Sequence, residues 1–165
     1  QTEEEQNQEL EEPDFEFSLM QPEYKNETVS GTVGEQLQAS DGFVLYVKDV
    51  ERDFSVDQST DERMERIKVN FLVGNAAETL SAKITNANFT LKTAAGDLIT
   101  VDESVSEYEG KIDTLDLTPG SKGRVSVVFA IPAGASSLTF IRQQSYVSRS
   151  LGQTVVCSTE VTLDS

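Results

Sequence analysis

The residues with the clearest potential for chemistry are four aspartates that recur every four positions, Asp49, Asp53, Asp57 and Asp61. On a helix this spacing would stack like charges on one face, so we expect a strand and the loop after it. Hard cations such as Ca²⁺ prefer carboxylate oxygens of this kind. The sequence does not contain the Asp-x-Asp-x-Asp-Gly pattern of an EF-hand. A solvated acidic loop is therefore the leading interpretation, and a calcium site is the alternative.

Side chains that serve as nucleophiles and bases are scarce. The sequence has no histidine and one cysteine, which excludes imidazole-based triads, imidazole metal sites and an internal disulfide. The Ser-x-x-Lys and Gly-x-Ser-x-Gly patterns of serine hydrolases are also missing. Two of the 29 carboxylates could in principle form an acid–base pair, as in glycoside hydrolysis. We predict that the protein is not an enzyme and keep a carboxylate-based hydrolase as the least favoured alternative.

The single thiol belongs to an alternating segment near the end of the chain. Cys157 shares its parity with Val155, Val161 and Leu163, which places the four side chains on one face of a predicted strand. A buried free cysteine behaves as a small apolar side chain, and a reactive thiol needs a neighbouring base. We therefore predict that Cys157 is a core residue.

The charge of the chain is concentrated at its start. The sequence has 29 acidic and 13 basic residues, a formal net charge of −16. Residues 1–27 hold ten of the acids and one base, Lys25, and so contribute −9. A chain this acidic repels nucleic acid and anionic membrane surfaces, so neither is an expected partner. We predict an acidic linker or tail over residues 1–27 and one domain over residues 28–165.

One part of the acidic tail has an apolar pattern. Phe15, Phe17 and Leu19 alternate with polar residues, which is the period of a half-buried strand. We expect residues 14–20 to dock as an extended segment on their own domain or on a neighbouring copy, or to form a first strand of the sandwich. The three apolar side chains are the candidate interaction residues, because an extended segment can add to an exposed sheet edge.

From about Thr28 onward, short alternating segments separated by Gly, Pro, Asp and Asn indicate strands. No long helical period or internal repeat competes with them. The pattern predicts an all-β fold, an antiparallel immunoglobulin-like β-sandwich of about seven strands, although alternation alone does not separate a sandwich from a barrel. The clearest segments are Phe43–Asp53, Ile67–Val73, Phe89–Leu91, Leu98–Val101, Val125–Ile131, Leu138–Phe140 and Val155–Leu163.

Several of these segments are similar to one known family. The pattern Asn88-Phe89-x-Leu91 is followed by a Gly96-Asp97 turn, and Leu117-x-Pro119-Gly120-x-x-Gly123 runs into Val127-x-Phe129-x-Ile131-Pro132. Together with Phe43–Val50 and Ile67–Val73, their order and spacing resemble the immunoglobulin-like domain of unknown function found in extracellular lipoproteins of Gram-positive bacteria.

The resemblance implies a cellular location as well as a fold. It implies a secreted precursor with a lipid-anchored N-terminal cysteine, a polar linker, and the sandwich on the outer face of the membrane. The given sequence begins at Gln1 with no such cysteine, so we expect a processed or truncated product whose anchor is implied and not present. The expected localisation is extracellular, as a cell-surface lipoprotein. The family has no catalytic residues to carry over.

Three functional hypotheses remain. The leading one is a non-catalytic, surface-tethered module that binds an extracellular protein, a peptide or a cell-wall component. The second is a structural spacer that calcium rigidifies through the acidic loop from Asp49 to Glu62. The third is the carboxylate-based hydrolase. Calcium is the only cofactor that the sequence suggests.

Overall fold

The computed structural model describes residues 15–52, 64–105, 108–148 and 152–163. Within these ranges the chain forms eleven strands and one short 3₁₀ helix. No helix in the described ranges is long and apolar enough to cross a membrane. The elements are β1 (Glu27–Thr32), β2 (Gln36–Gln38), β3 (Phe43–Glu51), β4 (Met64–Asn75), β5 (Ala82–Ile84), η1 (Asn86–Asn88), β6 (Phe89–Lys92), β7 (Leu98–Thr100), β8 (Leu115–Leu117), β9 (Lys122–Pro132), β10 (Thr139–Ser148) and β11 (Gln153–Thr162).

The strands form a β-sandwich, which confirms the predicted fold class. One sheet has five strands in the order β1-β11-β10-β6-β7, and the other has four in the order β2-β3-β4-β9. A third, two-stranded sheet joins β5 to β8. The pairs are antiparallel except β1 with β11, which run parallel in register from Glu27↔Cys157 to Thr32↔Thr162.

The core between the two large sheets is built from the inward residues of the alternating segments. Four phenylalanines are completely buried there, and their rings are in mutual contact. The ring centroids of Phe89 and Phe140 are 5.5 Å apart and stacked, and Phe71 lies 5.0 Å from Phe89. Phe129 meets Phe140 edge-on at 6.1 Å. These aromatic contacts fix the spacing of the two sheets, because each ring buries a large apolar area against the facing layer.

The seven predicted segments correspond to β3, β4, β6, β7, β9, β10 and β11, and β1 over Glu27–Thr32 was not among them. Seven of the eleven described strands have four or more residues, and each of the other four has three. A three-residue strand is too short to show alternation, so β2, β5 and β8 gave no sequence signal. The fourth short strand, β7, lies within the predicted segment Leu98–Val101, and it pairs antiparallel with β6.

One asparagine organises the end of the sandwich at which the apolar core stops. Asn75 is the last residue of β4 and is buried. Its amide donates to the carbonyl oxygens of Leu80 and Leu117, at 2.7 and 2.9 Å, and its side-chain oxygen accepts from the Ala77 backbone N–H at 3.0 Å. These three bonds hold the loop after β4 against β8, and they place β5 beside the open end of the sandwich.

Candidate functional site: a cleft at the end of the sandwich

The segment before β1 lies against the outer face of the four-stranded sheet of its own chain. Phe15 is buried in a second apolar cluster with Val44, Leu72 and Ala76. Val44 and Leu72 belong to β3 and β4 and face away from the main core, so this cluster gives the sheet a second covered face. The three predicted interaction residues differ in burial, since Phe15 is buried, Phe17 is half-buried and Leu19 is 51% exposed.

Backbone hydrogen bonds fix the position of this segment. The Met20 N–H donates to the Ala76 carbonyl at 2.8 Å, and the Glu78 N–H donates to the Met20 carbonyl at 3.0 Å. Further along, the Glu23 N–H donates to the Ser40 carbonyl at 2.8 Å. The segment is therefore extended and bonded at single points, with one parallel bridge between Met20 and Ala77. It leads directly to Tyr24 at the end of the sandwich.

A buried ion pair lies at this end. Arg142 on β10 donates from Nη2 to Asp41 Oδ2 at 2.6 Å, and its guanidinium carbon lies 4.0 Å from the ring centroid of Phe43. The side chains of Asp41 and Arg142 are 0% and 5% exposed. Asp41 stands in the tight turn before β3, where Gly42 has φ 95° and packs so closely on Ala77 that a Cβ would lie 2.6 Å from its nitrogen. Glycine at position 42 thus allows the turn that buries the carboxylate.

Every oxygen of this carboxylate is hydrogen-bonded. Besides Arg142, Asp41 accepts from the Tyr146 hydroxyl at 2.6 Å and from the Phe43 backbone N–H at 3.3 Å. Burial by itself would raise the pKa of Asp41. The charge of Arg142 and the hydrogen bonds from Arg142, Tyr146 and Phe43 outweigh burial and hold this pKa below its ordinary value. Asp41 is therefore an anion with a fixed set of donors.

Two tyrosines form a wall beside the ion pair. The rings of Tyr24 and Tyr146 are 4.6 Å apart, centroid to centroid, and tilted by 51°. Burial raises the pKa of Tyr146 strongly, and the charge of Asp41 and its hydrogen bond add to that effect. Burial and the nearby charge of Asp41 also raise the pKa of Tyr24. Both phenols are therefore neutral at physiological pH and present hydroxyl groups.

These residues surround a cleft of about 180 Å³, which we call the end cleft. Its lining includes residues 80–84, then Arg142, Gln144 and Tyr146 from one face of β10, and also Tyr24 and Phe43. Asn88 connects the end of β5 to β10, because its side-chain oxygen accepts from the Thr85 N–H at 2.9 Å and its amide donates to the Gln143 carbonyl at 3.0 Å and to Gln144 Oε1 at 2.9 Å. The cleft is therefore preformed and has both polar and apolar walls.

Cys157 lies behind this cleft and is completely buried. Its thiol donates to the Lys25 carbonyl oxygen at 3.3 Å. Burial, and after it the charge of Asp41, raises the pKa of the Cys157 thiol. The predicted inward orientation is what the structure shows, and the thiol is protonated and shielded.

The predicted calcium ligands are described only in part. Asp49 lies on β3 and is exposed, and Asn70 Nδ2 donates to its Oδ1 at 2.6 Å. The same Asn70 amide donates to Glu51 Oε2 at 2.8 Å, so these two carboxylates stand close together. Asp53, Asp57 and Asp61 lie outside the described residues. Among the described residues, no group of three or more acidic or cysteine side chains is placed to hold a metal ion.

The residues of the end cleft were not identified from the sequence. A signal for them was present, because Leu138, Phe140, Arg142, Gln144 and Tyr146 share one parity. A charged residue at an inward position of a strand requires a buried partner, and this requirement points to an ion pair. The sequence does not show which of the 29 acids supplies the partner, since Asp41 is 101 positions away.

Comparisons with solved structures agree on the fold. The chain superimposes on the yjhA protein of Bacillus subtilis with a TM-score of 0.59 and 16% identity, covering 79% of this chain and 99% of yjhA. It matches ycdA, a candidate lipoprotein of Bacillus subtilis, with a TM-score of 0.58 and 16% identity over 76% of this chain. This match spans 38% of the length of ycdA. The secreted protein MPT63 of Mycobacterium tuberculosis has a TM-score of 0.55 and 12% identity, over 82% and 98% of the two chains.

The sequence also matches a family model. None of the curated proteins matches this chain. Residues 31–151 match a family described as a domain of unknown function, DUF4352. The match covers more than half of the chain and contains every segment that carried the resemblance in the sequence, so the resemblance is confirmed. The chain belongs to the DUF4352 family.

Proposed function

We propose that this protein is a non-catalytic binding module that acts outside the cell and that the end cleft is its ligand site. The observation that carries the proposal is the buried Asp41–Arg142 pair, which is held by hydrogen bonds within the chain. A preformed cleft with apolar walls and a few fixed polar groups is the usual form of a ligand site. Both partners are also clamped by neighbours, Asp41 by Tyr146 and Arg142 by the ring of Phe43.

The state of the polar groups supports binding over catalysis. Asp41 is the one carboxylate among the described residues that line the cleft. It is ionised, so it has no proton to give as an acid. It already accepts four hydrogen bonds, which makes it a poor base. A glycosidase needs a second carboxylate at about 5–10 Å, and the described lining of the cleft contains none.

The extracellular assignment rests on similarity and on layout. Two of the similar structures are described as a candidate lipoprotein and a secreted protein. In this chain, nine acidic residues come before β1, in the position that a tether to the cell surface would take. The segment from Phe15 to Tyr24 leads from this stretch to the cleft. A lipid anchor upstream of Gln1 would thus present the cleft at the end of an acidic linker.

One observation favours a second candidate, the calcium-responsive spacer. Asp49 and Glu51 share the amide of Asn70, so two carboxylates are already gathered at the start of the acidic loop. Calcium would have to replace that amide and would meet the Lys68 ammonium, which lies 3.9 Å from Glu51. The binding module therefore remains our first choice.

Two-dimensional NMR of the ¹⁵N-labelled chain tests the proposal. The probes are muropeptides from digested cell wall and a mixture of short peptides with capped ends. We expect at least one probe to shift amide signals of residues 80–84 and 142–146 in a saturable way. Tyr24→Ala should weaken this binding by at least tenfold, and Leu98→Ala, which truncates an exposed side chain on β7, should leave it unchanged.

Mass spectrometry of the same samples tests the absence of catalysis. We expect the bound probe to be recovered intact after prolonged incubation. Cleavage of a probe that Tyr24→Ala abolishes would overturn the non-catalytic assignment. Shifts that lie elsewhere on the sandwich, or none with either probe, would overturn the cleft as the ligand site. Protease accessibility of the full-length protein on intact host cells tests its location.

A further inference from the structure

We propose that the ligand of the end cleft is an extended peptide segment, which adds as a strand to the free edge of β5. The inference rests on the proposed function, since it assigns a chemical class to the ligand of the same cleft. Strand addition gives affinity through main-chain hydrogen bonds, and neighbouring pockets then select side chains. Three features of the cleft carry this assignment: an open strand edge, donors without a protein partner in the same cleft, and a carboxylate that already neutralises Arg142.

The first feature is the backbone of β5. All three residues of β5, Ala82, Lys83 and Ile84, line the cleft, although successive side chains of a strand point to opposite faces. Three consecutive residues border one cleft when the edge of the strand, and not one face of it, is turned toward the cleft. The end cleft is therefore bounded by a strand edge.

The backbone groups on that edge are available. On its other side β5 pairs with β8, in the antiparallel register Ala82↔Leu117, Lys83↔Asp116 and Ile84↔Leu115. In such a pair every second residue points its N–H and C=O away from the partner strand. In the described part of the chain, no backbone bond from Ala82–Ile84 goes to any strand except β8. An added strand would supply the missing partners.

The outer edge of β9 differs from the edge of β5, because other segments of the chain bond to it. The outer edge of β9 is occupied, because the Asp102 N–H donates to the Val128 carbonyl at 2.8 Å and the Ser126 N–H donates to the Gly110 carbonyl at 2.8 Å. The chain itself therefore blocks pairing along β9. The edge of β5 has no such cover within the described residues, and it faces a cleft that can hold a chain.

The second feature is a set of donors that line the same cleft as β5. A guanidinium has five N–H groups, and the bonds of Arg142 are two, both to Asp41. Its remaining N–H groups have no partner among the described residues, although the side chain is only 5% exposed. The Tyr24 hydroxyl likewise has no hydrogen-bond partner in the described ranges. These donor groups belong to residues that line the end cleft, so a ligand that brings acceptors can bond to them there.

The third feature decides which acceptor fits. Asp41 already neutralises Arg142, so a second carboxylate bonded to the same guanidinium would be repelled by Asp41. The other charged residue of the described lining is Lys83, which is exposed on β5. An uncharged acceptor such as a peptide carbonyl receives the spare N–H groups without that repulsion. A sugar is less favoured, because it needs an open aromatic face, and the rings of Tyr24 and Tyr146 pack on each other at 4.6 Å. An uncharged stretch of extended backbone can bond both to the free backbone groups of β5 and to the spare N–H groups of Arg142.

Methylated peptides provide the test. The probe is a mixture of random hexapeptides with acetylated and amidated ends, titrated into the full ¹⁵N-labelled chain. Its control is the same mixture with every backbone nitrogen methylated, which removes the N–H groups that strand addition needs. We expect the first mixture to shift the amides of residues 81–84 and the Nε–H signal of Arg142, and the methylated mixture to bind at least tenfold more weakly.

A pair of variants separates the donors of Arg142 from general charge. Arg142→Lys keeps the positive charge beside Asp41 but removes the planar set of spare N–H groups. It should weaken peptide binding by at least tenfold, whereas Arg124→Lys on β9 should leave binding unchanged. The amide spectrum of the main core, around Phe71 and Phe129, reports whether each variant is folded.

The outcomes distinguish this inference from the proposed function. Equal binding of the methylated and unmethylated mixtures would overturn strand addition. Binding of tetra-N-acetylchitotetraose in the cleft, with no peptide binding, would overturn the peptide assignment and leave the ligand site in place. No shift in the cleft with peptides, chitotetraose or muropeptides would overturn both proposals. An unchanged affinity in Arg142→Lys would remove Arg142 from peptide recognition.

Discussion

Gly74 on β4 lies directly beneath the ring of Phe17. A Cβ built on Gly74 would stand 2.6 Å from Phe17 Cζ and 3.3 Å from Phe15 Cε2, which is too close for the first contact. Glycine weakens a strand, and in a strand interior it marks a place at which something approaches the backbone closely. The glycine at position 74 is therefore explained by the segment before β1 that crosses over the sheet there.

Gly74→Ala should loosen this segment while leaving the main core intact. Forcing an extra methyl into a packed contact costs about 1–3 kcal/mol of unfolding free energy. Urea unfolding measures this cost, and limited proteolysis measures the accessibility of residues 15–24. Phe17→Ala in the Gly74→Ala background is the control, because removal of the ring removes the clash. If Gly74→Ala costs the same with and without the ring, the contact with Phe17 is not its cause.

The fold was predictable from the sequence and the site was not, for physical reasons that particular residues show. The alternation of Val125, Val127, Phe129 and Ile131 specifies a strand and its buried face within a few neighbours. The pairing of Asp41 with Arg142 depends on two distant turns and on the packing of Gly42 against Ala77. Local pattern determines which face is buried, and only the assembled sandwich determines which charges meet.

Breaking the buried pair should be far more damaging than removing it. Arg142→Met leaves the carboxylate of Asp41 buried without its counter-charge, and a broken buried pair typically costs about 3–5 kcal/mol. The double variant Asp41→Asn, Arg142→Met leaves no buried charge and should recover part of that loss. Urea unfolding of both single variants and the double variant gives the coupling free energy. Additive losses would show that the two side chains act independently.

Acid should destabilise the protein through Asp41 and Asp102. Burial by itself would raise the pKa of Asp102, and hydrogen bonds from Ser104 and Arg66 outweigh it, so this pKa is lowered, as for Asp41. A carboxyl whose pKa is lowered by folding contributes stability above its unfolded pKa of about 3.9, and loses it as pH falls through the folded value. We therefore expect the free energy of unfolding to be flat near neutral pH and to decline below about pH 4.

A matched pair of variants assigns part of this decline. Asp102→Asn removes one of the two groups and should flatten the loss of stability between about pH 4 and pH 2. Asp97→Asn, in the exposed turn between β6 and β7, should reproduce the pH profile of the parent chain. Urea midpoints measured across this range provide the comparison. An identical acid decline in Asp102→Asn would show that the ion pair with Arg66 does not contribute to it.

The Cys157 thiol should be unreactive in the folded chain. It is completely buried, and its pKa is raised, so little thiolate forms at neutral pH. We expect labelling by 5,5′-dithiobis(2-nitrobenzoic acid) at pH 8 to be slow without urea and to accelerate with unfolding. Cys157→Ser should give no signal in either condition. Rapid labelling of the native chain would show that the end of the sandwich opens far more readily than its burial indicates.

Calcium should not stabilise the chain more than magnesium does. Asn70 already bonds to both Asp49 and Glu51, and Lys68 lies beside Glu51, so an ion would have to displace existing partners.

Melting experiments test this prediction. A ligand at 100 times its Kd adds about 2.7 kcal/mol to the free energy of unfolding. At about 2–4 °C per kcal/mol, such binding would raise the melting midpoint by several degrees. Melts in EDTA, millimolar calcium and millimolar magnesium measure this directly. A rise that is specific to calcium and lost in Asp49→Asn, with Asp97→Asn as the control, would turn the acidic loop into a metal site and favour the spacer over the binding module.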